Sequence, residues 1–67
     1  MKYLVIEVQT TTGDAVSHIV TVHTTKEEAE QKYHSVLSYA AVSELKYHSA
    51  IMVNAKGEWI KEETYEH

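Results

Sequence analysis

The sequence contains no cysteine among its 67 residues, so neither a disulfide nor a thiolate metal site stabilises the fold. A chain of this length forms a single domain, residues 1–67, and buries only about 60% of the surface that its unfolded chain exposes. Small domains of this kind usually depend on a disulfide, a metal or association with another chain. With the first excluded, we expect a homodimer or a higher homo-oligomer.

An excess of positive charge is also lacking. The chain has 6 basic and 10 acidic residues and a formal net charge of −4, which works against binding to a phosphate backbone. We therefore expect no nucleic-acid partner. Seven of the ten acidic residues fall into two groups, at 27–30 and 58–66, and we interpret these as a solvated helix start and a solvated edge or tail, too weakly charged to imitate DNA.

No hydrophobic run is long enough for a membrane segment. The N-terminal stretch MKYLVIEVQ is interrupted by Glu7 and Gln9, far short of a signal-peptide core or a membrane span. We expect a cytoplasmic protein with no membrane partner.

Catalytic motifs are absent as well. The chain has no cysteine nucleophile, no G-x-S-x-G elbow and, with two glycines, no glycine-rich phosphate loop. Glu7 is the one carboxylate in apolar surroundings, and we expect it to face solvent from its strand. The sequence therefore predicts a protein that is not an enzyme, with no catalytic residue.

What the sequence does contain is one segment, Thr24–Ser43, that is long and periodic enough to predict a helix. Thr24 and Thr25 are each followed three residues later by a glutamate, so either is a candidate N-cap, and Thr25 is favoured. Apolar and small residues then recur at helical spacing and predict one stripe that faces the core: Ala29, Tyr33, Val36, Leu37 and Ala40.

The second half of this helix is unusual because no Asp, Glu, Lys or Arg occurs between Tyr33 and Ser43. Tyr39 and Val42 project away from the core stripe, where a surface helix usually carries Lys and Glu. Either flanking loops cover these residues, or they are simply exposed, or they contact another subunit. We treat Tyr39 and Val42 as candidate interface residues.

Four strands are predicted from alternation and β-branched content: Tyr3–Thr10, Ala15–His23, Tyr47–Asn54 and residues 58 to about 65. Glycine-containing turns join them in pairs, and we expect Gly13 to supply positive φ in the first turn. The charges of residues 61–63 are typical of an edge strand.

The order β-β-α-β-β predicts an α+β fold: a two-layer sandwich in which one helix covers one face of a four-stranded, mainly antiparallel sheet. We expect strand order 2-1-3-4, with a right-handed connection between the hairpins if the joined strands are parallel. The face without a helix would still carry Val5, Ile19 and either Ile51 or Met52. Apolar residues on both faces favour a homodimer or a larger ring.

The five histidines do not predict a metal site. No two of them have the i, i+4 spacing of a helical site or the i, i+2 spacing of a strand site, and His18 and His23 point to opposite faces of one strand. We expect no metal and no cofactor, while convergence of histidines across a subunit boundary stays open.

The tetrapeptide Lys-Tyr-His-Ser occurs at residues 32–35 and again at 46–49, once in the helix and once at a strand start, so we interpret it as a coincidence. The aromatic and imidazole groups around this connection are candidates for a small polar pocket: Tyr33, His34, Tyr47 and His48. Trp59 is a further binding candidate, although a tryptophan beside a hairpin turn is more often a cap on the core than a stacking platform.

The segments KYLVIEVQT, EAEQKYHSVLSYAAVS and IMVNAKGEWI together resemble small phage- or prophage-type proteins of Gram-positive bacteria. The resemblance covers most of the chain, and no catalytic or binding residue comes with it. It implies an accessory role on a mobile element in the bacterial host cell, either in virion assembly or in interference with host defence.

Three functions remain open from the sequence. The first is a non-catalytic, self-associating interaction module. The second is a protein that sequesters a small, nucleotide-like ligand at a subunit boundary, and the third is a minor structural component of a virion.

Overall fold

The structure, a computed structural model of residues 1–67, contains four strands and one helix. The elements are β1 (Tyr3–Thr10), β2 (Val16–His23), α1 (Lys26–Ala40), β3 (Tyr47–Asn54) and β4 (Trp59–Glu66). They form a four-stranded sheet with the helix on one face, which confirms the predicted α+β class.

The sheet has strand order β2-β1-β3-β4, and each neighbouring pair is antiparallel. This confirms the predicted order 2-1-3-4. Because β2 and β3 are both antiparallel to β1, they run in the same direction, and α1 connects them by crossing over β1. β2 and β4 are therefore the two edges of the sheet.

The helix is shorter than the periodic segment that predicts it. The Thr25 hydroxyl accepts a hydrogen bond from the Glu28 N–H at 3.2 Å, which confirms Thr25 as the N-cap. The helix ends at Ala40, and the N–H groups of residues 41–43 bond back to the carbonyls of residues 37, 39 and 40 as a tightened last turn. Val42 and Ser43 therefore lie beyond the helix.

The core lies between α1 and the two central strands. Its buried residues are Val5, Ala29, Tyr33, Val36, Ala50 and Met52, with Tyr3, Leu37 and Ile60 packed around them. The predicted helix stripe is confirmed, since Leu37 is partly buried and its other members are buried. Fully buried alanines on the helix and on β3 let the two layers approach closely.

The predicted orientation of the sheet is wrong. Val5 lies under the helix with 1% exposure, and Ile19 is on the same face because it pairs with Glu7. The opposite face instead carries Leu4 and Ile6 from the central strand β1. Both alternating sets of residues in β1 contain apolar side chains, so the pattern alone does not determine which set the helix covers.

The turns also differ in detail from the prediction. In the first turn the positive φ falls on Asp14, at 64°, and not on Gly13. In the second turn Gly57 has φ 83°, and its N–H bonds to the Asn54 carbonyl at 2.9 Å. Next to this turn the β3–β4 register shifts between Met52 and Val53, which makes a bulge in the edge.

Candidate functional site

The main candidate site is the sheet face that the helix does not cover, which we call the open face. Cross-strand pairing places its side chains in rows. Each row is given in the strand order β2, β1, β3, β4. The first of the two most apolar rows is Val22, Leu4, Val53 and Trp59, and the second is Val20, Ile6, Ile51 and Glu62. The next rows are His18, Val8, Ser49, Thr64 and Val16, Thr10, Tyr47, Glu66. The apolar part therefore spans β2, β1 and β3, and the acidic part lies along β4.

Several large apolar side chains of the open face are in contact with solvent. Val16 is 68% exposed, Val22 is 59% exposed and Trp59 is 62% exposed. Soluble proteins commonly expose single apolar residues, but contiguous apolar patches mark interaction sites. Val22 and Trp59 lie at the two ends of one row and Val16 lies in the last row. They are joined into one patch only by the apolar residues between them, which are the exposed Val20 and the partly buried Leu4, Ile6 and Ile51.

Two predicted binding candidates belong to this face. Trp59 pairs with Val53 across β3 and β4, and Tyr47 pairs with Thr10 across β1 and β3. The expectation that Trp59 caps the core is wrong, because most of its ring is exposed. Its indole is available to a partner.

The other predicted interface residues lie at the end of the helix. Tyr39 is 71% exposed and Val42 is 80% exposed, so no loop of this chain covers them. Both lie near the C-terminal end of α1, away from the strands that form the open face.

A polar network that the sequence does not predict is buried on the helix side of the sheet. His48 Nε2 lies 2.6 Å from Glu7 Oε2, and His48 Nδ1 lies 3.0 Å from Ser43 Oγ. Gln9 Nε2 donates to the same Glu7 oxygen at 2.8 Å. The network links β1, β3 and the segment after the helix. The expectation that Glu7 faces solvent is therefore wrong, as its side chain is only 15% exposed.

The network holds Glu7 in its charged form. Burial raises the pKa of Glu7, but the hydrogen bonds from Gln9 and His48 and the positive charges of His48 and Lys32 lower it by more. The net result is a pKa below the ordinary value of 4.5. The carboxylate is thus a stable hydrogen-bond acceptor for His48, which in turn contacts Ser43 after the C-terminal end of α1.

Ser43, His48 and Glu7, in this order, have the residue types of a hydrolytic triad, but their surroundings do not suit catalysis. His48 is only 4% exposed. The Ser43 N–H bonds to the Ala40 carbonyl, so it does not point toward a reacting oxygen. A helix C-terminus presents carbonyls, which disfavour a developing negative charge. We interpret the network as structural: it joins the helix end to the sheet.

The predicted polar pocket is not assembled within one chain. Tyr33 and His48 are buried in the helix–sheet layer, whereas His34 is exposed and contacts the Tyr33 ring at 5.5 Å between centroids. Tyr47 lies on the open face, on the other side of the sheet. The strand alternation separates Tyr47 from His48, although they are adjacent in sequence.

A different group of polar residues lines an open depression at the start of the helix, with a volume of about 440 Å³. Its lining residues are His23, Glu28, Gln31, Lys32 and Ser35. All five are ordinary surface residue types at helical or strand-end spacing, and no sequence signal distinguishes them. The depression has no apolar wall that would bury a ligand.

No three His, Asp or Glu side chains lie close enough together to hold a metal ion. The single helix has neither the length nor the apolar character needed to cross a bilayer. No protein-family model, curated protein or solved structure matches this chain.

Proposed function

We propose that this protein is a non-catalytic interaction module that associates with itself through the open face. The observation that supports the proposal is the row structure of this face. Two neighbouring rows supply the partly buried Leu4, Ile6 and Ile51 at the centre, and solvent-exposed valines flank them on β2. A second copy with the same face is a suitable partner, since the sheets of a β-sandwich pack in this way.

The open face is large enough for such a contact. Four strands spaced about 4.8 Å apart, with eight residues of about 3.3 Å each, give a footprint of roughly 500 Å² per copy. Two copies would then bury at least about 1,000 Å², which is the lower range of specific interfaces. This footprint includes β4, so Glu62 and Glu66 lie at its edge, while the apolar rows on β2, β1 and β3 carry no charge that would be desolvated at the centre.

The distribution of charge favours one arrangement of the two copies. The acidic residues of the open face, Glu62 and Glu66, lie on β4, while β2 contributes His18 and valines. A two-fold axis parallel to the strands places β4 of each copy over β2 of its partner. This arrangement keeps the two β4 strands apart and avoids contact between like charges.

The resemblance to phage- and prophage-type proteins adds a biological setting to this proposal. A small, acidic, self-associating domain without catalytic residues fits an accessory protein that acts by binding, for example on a component of host defence. Affinity isolation from an infected host, with the Ile51→Lys variant described below as the comparison, tests whether a host protein depends on the assembled form.

The direct test is the variant Ile51→Lys. Ile51 lies in the centre of the open face, and its cross-strand neighbour on β4 is Glu62, so a lysine is tolerated in a lone chain. In a face-to-face dimer the same lysine would be desolvated at the centre of the interface. We expect wild-type protein to have at least twice the mass of one chain in light scattering at micromolar concentration, and Ile51→Lys to shift to smaller species.

Thr12→Lys is the matched control, because it adds the same charge at an exposed turn outside the open face. It should keep the mass of the wild type. A monomeric wild type at hundreds of micromolar, or equal masses for both lysine variants, contradicts the proposal.

A further inference from the structure

The edge strand β2 carries a second feature, which concerns its backbone and not its side chains. Beyond the strand pair Thr10 and Val16, the Thr11 N–H bonds to the Ala15 carbonyl at 2.9 Å. Hydrogen-bonded pairs alternate along an antiparallel ladder, so the odd-numbered residues of β2 bond to β1. The backbone N–H and C=O groups of Val16, His18, Val20 and Val22 therefore point away from the sheet.

These free backbone groups are unprotected. β2 has no charged residue, no proline and no bulge over eight residues, and Ile19 on its helix side is 50% exposed. The other edge, β4, has Lys61, Glu62 and Glu63 together with the register shift. Natural sheets block their edges with charges and bulges of this kind. One edge of this sheet is thus blocked, and the other is open to strand addition.

The sequence of β2 is suited to antiparallel pairing with β2 of a second copy. From Val16 to Val22 it reads VSHIVTV, which is nearly symmetric about Ile19. In an antiparallel pair centred on Ile19, Val16 of one copy lies opposite Val22 of the other. Ser17 lies opposite Thr21, a favourable pairing of hydroxyl residues. The same register aligns the outward-pointing backbone groups and forms about eight hydrogen bonds.

We propose that β2 is a strand-addition site whose partner is β2 of a second copy, in the register that places Ile19 opposite Ile19. The inference rests on the proposed self-association and specifies a contact distinct from the open face. It produces one continuous sheet of eight strands with both helices on the same side. The two open faces then become a single surface on the other side.

A single-cysteine experiment tests this register, because the chain has no cysteine of its own. In the proposed pair the Ile19 positions form a non-hydrogen-bonded pair with Cα atoms about 4.5 Å apart, which a disulfide can bridge. Ser17→Cys is the matched control on the same strand and the same side. Its two copies would be about 13 Å apart, given a rise of about 3.3 Å per residue. We expect oxidised glutathione to convert most of Ile19→Cys, and little of Ser17→Cys, into a disulfide-linked dimer.

A proline variant tests the backbone contribution. Val20→Pro removes an N–H that points away from β1, so the β1–β2 ladder keeps its hydrogen bonds. The variant should have about half the particle mass of the control Val20→Ala, which keeps the N–H. Circular dichroism checks that both variants are folded.

The outcomes separate this inference from the proposed function. Suppose that Ile51→Lys lowers the particle mass. If Ile19→Cys then forms no more disulfide-linked dimer than Ser17→Cys, or if Val20→Pro has the same mass as Val20→Ala, the edge contact is wrong and the open-face proposal stands. A wild-type chain that is monomeric at all concentrations overturns both.

Discussion

His48 shows how strongly one buried polar residue can organise a small domain. Its two ring nitrogens contact Glu7 on β1 and Ser43 after the helix, so the imidazole joins segments that are 41 and 5 residues away in sequence. No buried side-chain polar atom is left without a partner. A satisfied network of this kind fixes the packing of the helix on one particular face of the sheet.

The same residues limit what the sequence could predict. Glu7 and Gln9 are polar residues in an alternating strand, and such residues usually mark the solvent side. Their burial depends on His48, a partner that no local pattern connects to them. The helix stripe was predictable because its period is local, whereas the choice of sheet face is tied to long-range contacts, such as Glu7 with His48, that no local pattern contains.

At the residue scale we predict that Glu7 makes stability depend on acid pH. The pKa of Glu7 is lowered in the folded state, so its contribution is complete above the unfolded pKa and is lost as pH falls through the folded pKa. At pH 7, Glu7→Gln should be less stable by about 1.5–3 kcal/mol, as expected for hydrogen bonds to a charged group. This gap should close below pH 4.5 as the wild-type carboxyl is protonated. Urea denaturation from pH 3 to pH 7 measures it; a gap that is constant with pH contradicts the assignment.

At the scale of elements, the helix has two distinct halves. Its first turns carry acidic residues beside the N-cap, and Lys61 of β4 lies 3.8 Å from Glu30 and over the Tyr33 ring. Its last turn has no basic residue, and His67 Nε2 donates to the Ala40 carbonyl at 2.8 Å. His67 thus caps the helix, while Tyr39 stays exposed.

The exposed end of the helix leads to a prediction about which surface is used. Tyr39→Glu and Val42→Glu introduce charge at positions that are already in contact with solvent. Neither should therefore lower the free energy of unfolding of the single chain by more than about 0.5 kcal/mol. If this end takes part in self-association, either variant should dissociate the assembly as Ile51→Lys does. Sedimentation velocity compares them, with Gln31→Glu, an exposed position two turns before Tyr39 in the same helix, as the control. Unchanged sedimentation for both variants restricts the interface to the sheet.

The strands show which parts of the topology are contained in local signals. Both hairpins and the strand order were predictable, since turn residues and alternation occur at each expected place. The helix was predicted to extend to Ser43, but the uncharged segment does not continue as helix past Ala40. Ser43 instead bonds to His48, which again is a tertiary contact.

The whole molecule has an accessible surface area that is ordinary for its mass, but that surface includes a patch of large apolar side chains on one face of the sheet. The accessible surface of 4369 Å² is close to the value of about 4,300 Å² that size scaling gives for a chain of this mass. Only 9 of 67 residues are buried, so one copy gains little from its core. Covering the open face adds burial that the single chain lacks.

This deficit predicts a melting temperature that rises with protein concentration. Association stabilises the folded state by mass action, and a tenfold increase in concentration should raise Tm by about 3–6 °C for a dimer of this size. Differential scanning fluorimetry from 5 to 500 µM measures the shift with Trp59 as the reporter. Ile51→Lys should show a flatter dependence, and a wild-type Tm that is independent of concentration contradicts a coupled folding and association.

The two unlike edges of the sheet also decide how far growth can proceed. A sheet with two adhesive edges would add copies without limit and polymerise into fibrils. Here each copy offers β2 alone, and β4 ends the sheet with charge and a register shift. If two copies pair through β2 as proposed, both edges of the extended sheet are β4 strands, so this edge contact by itself links no third copy.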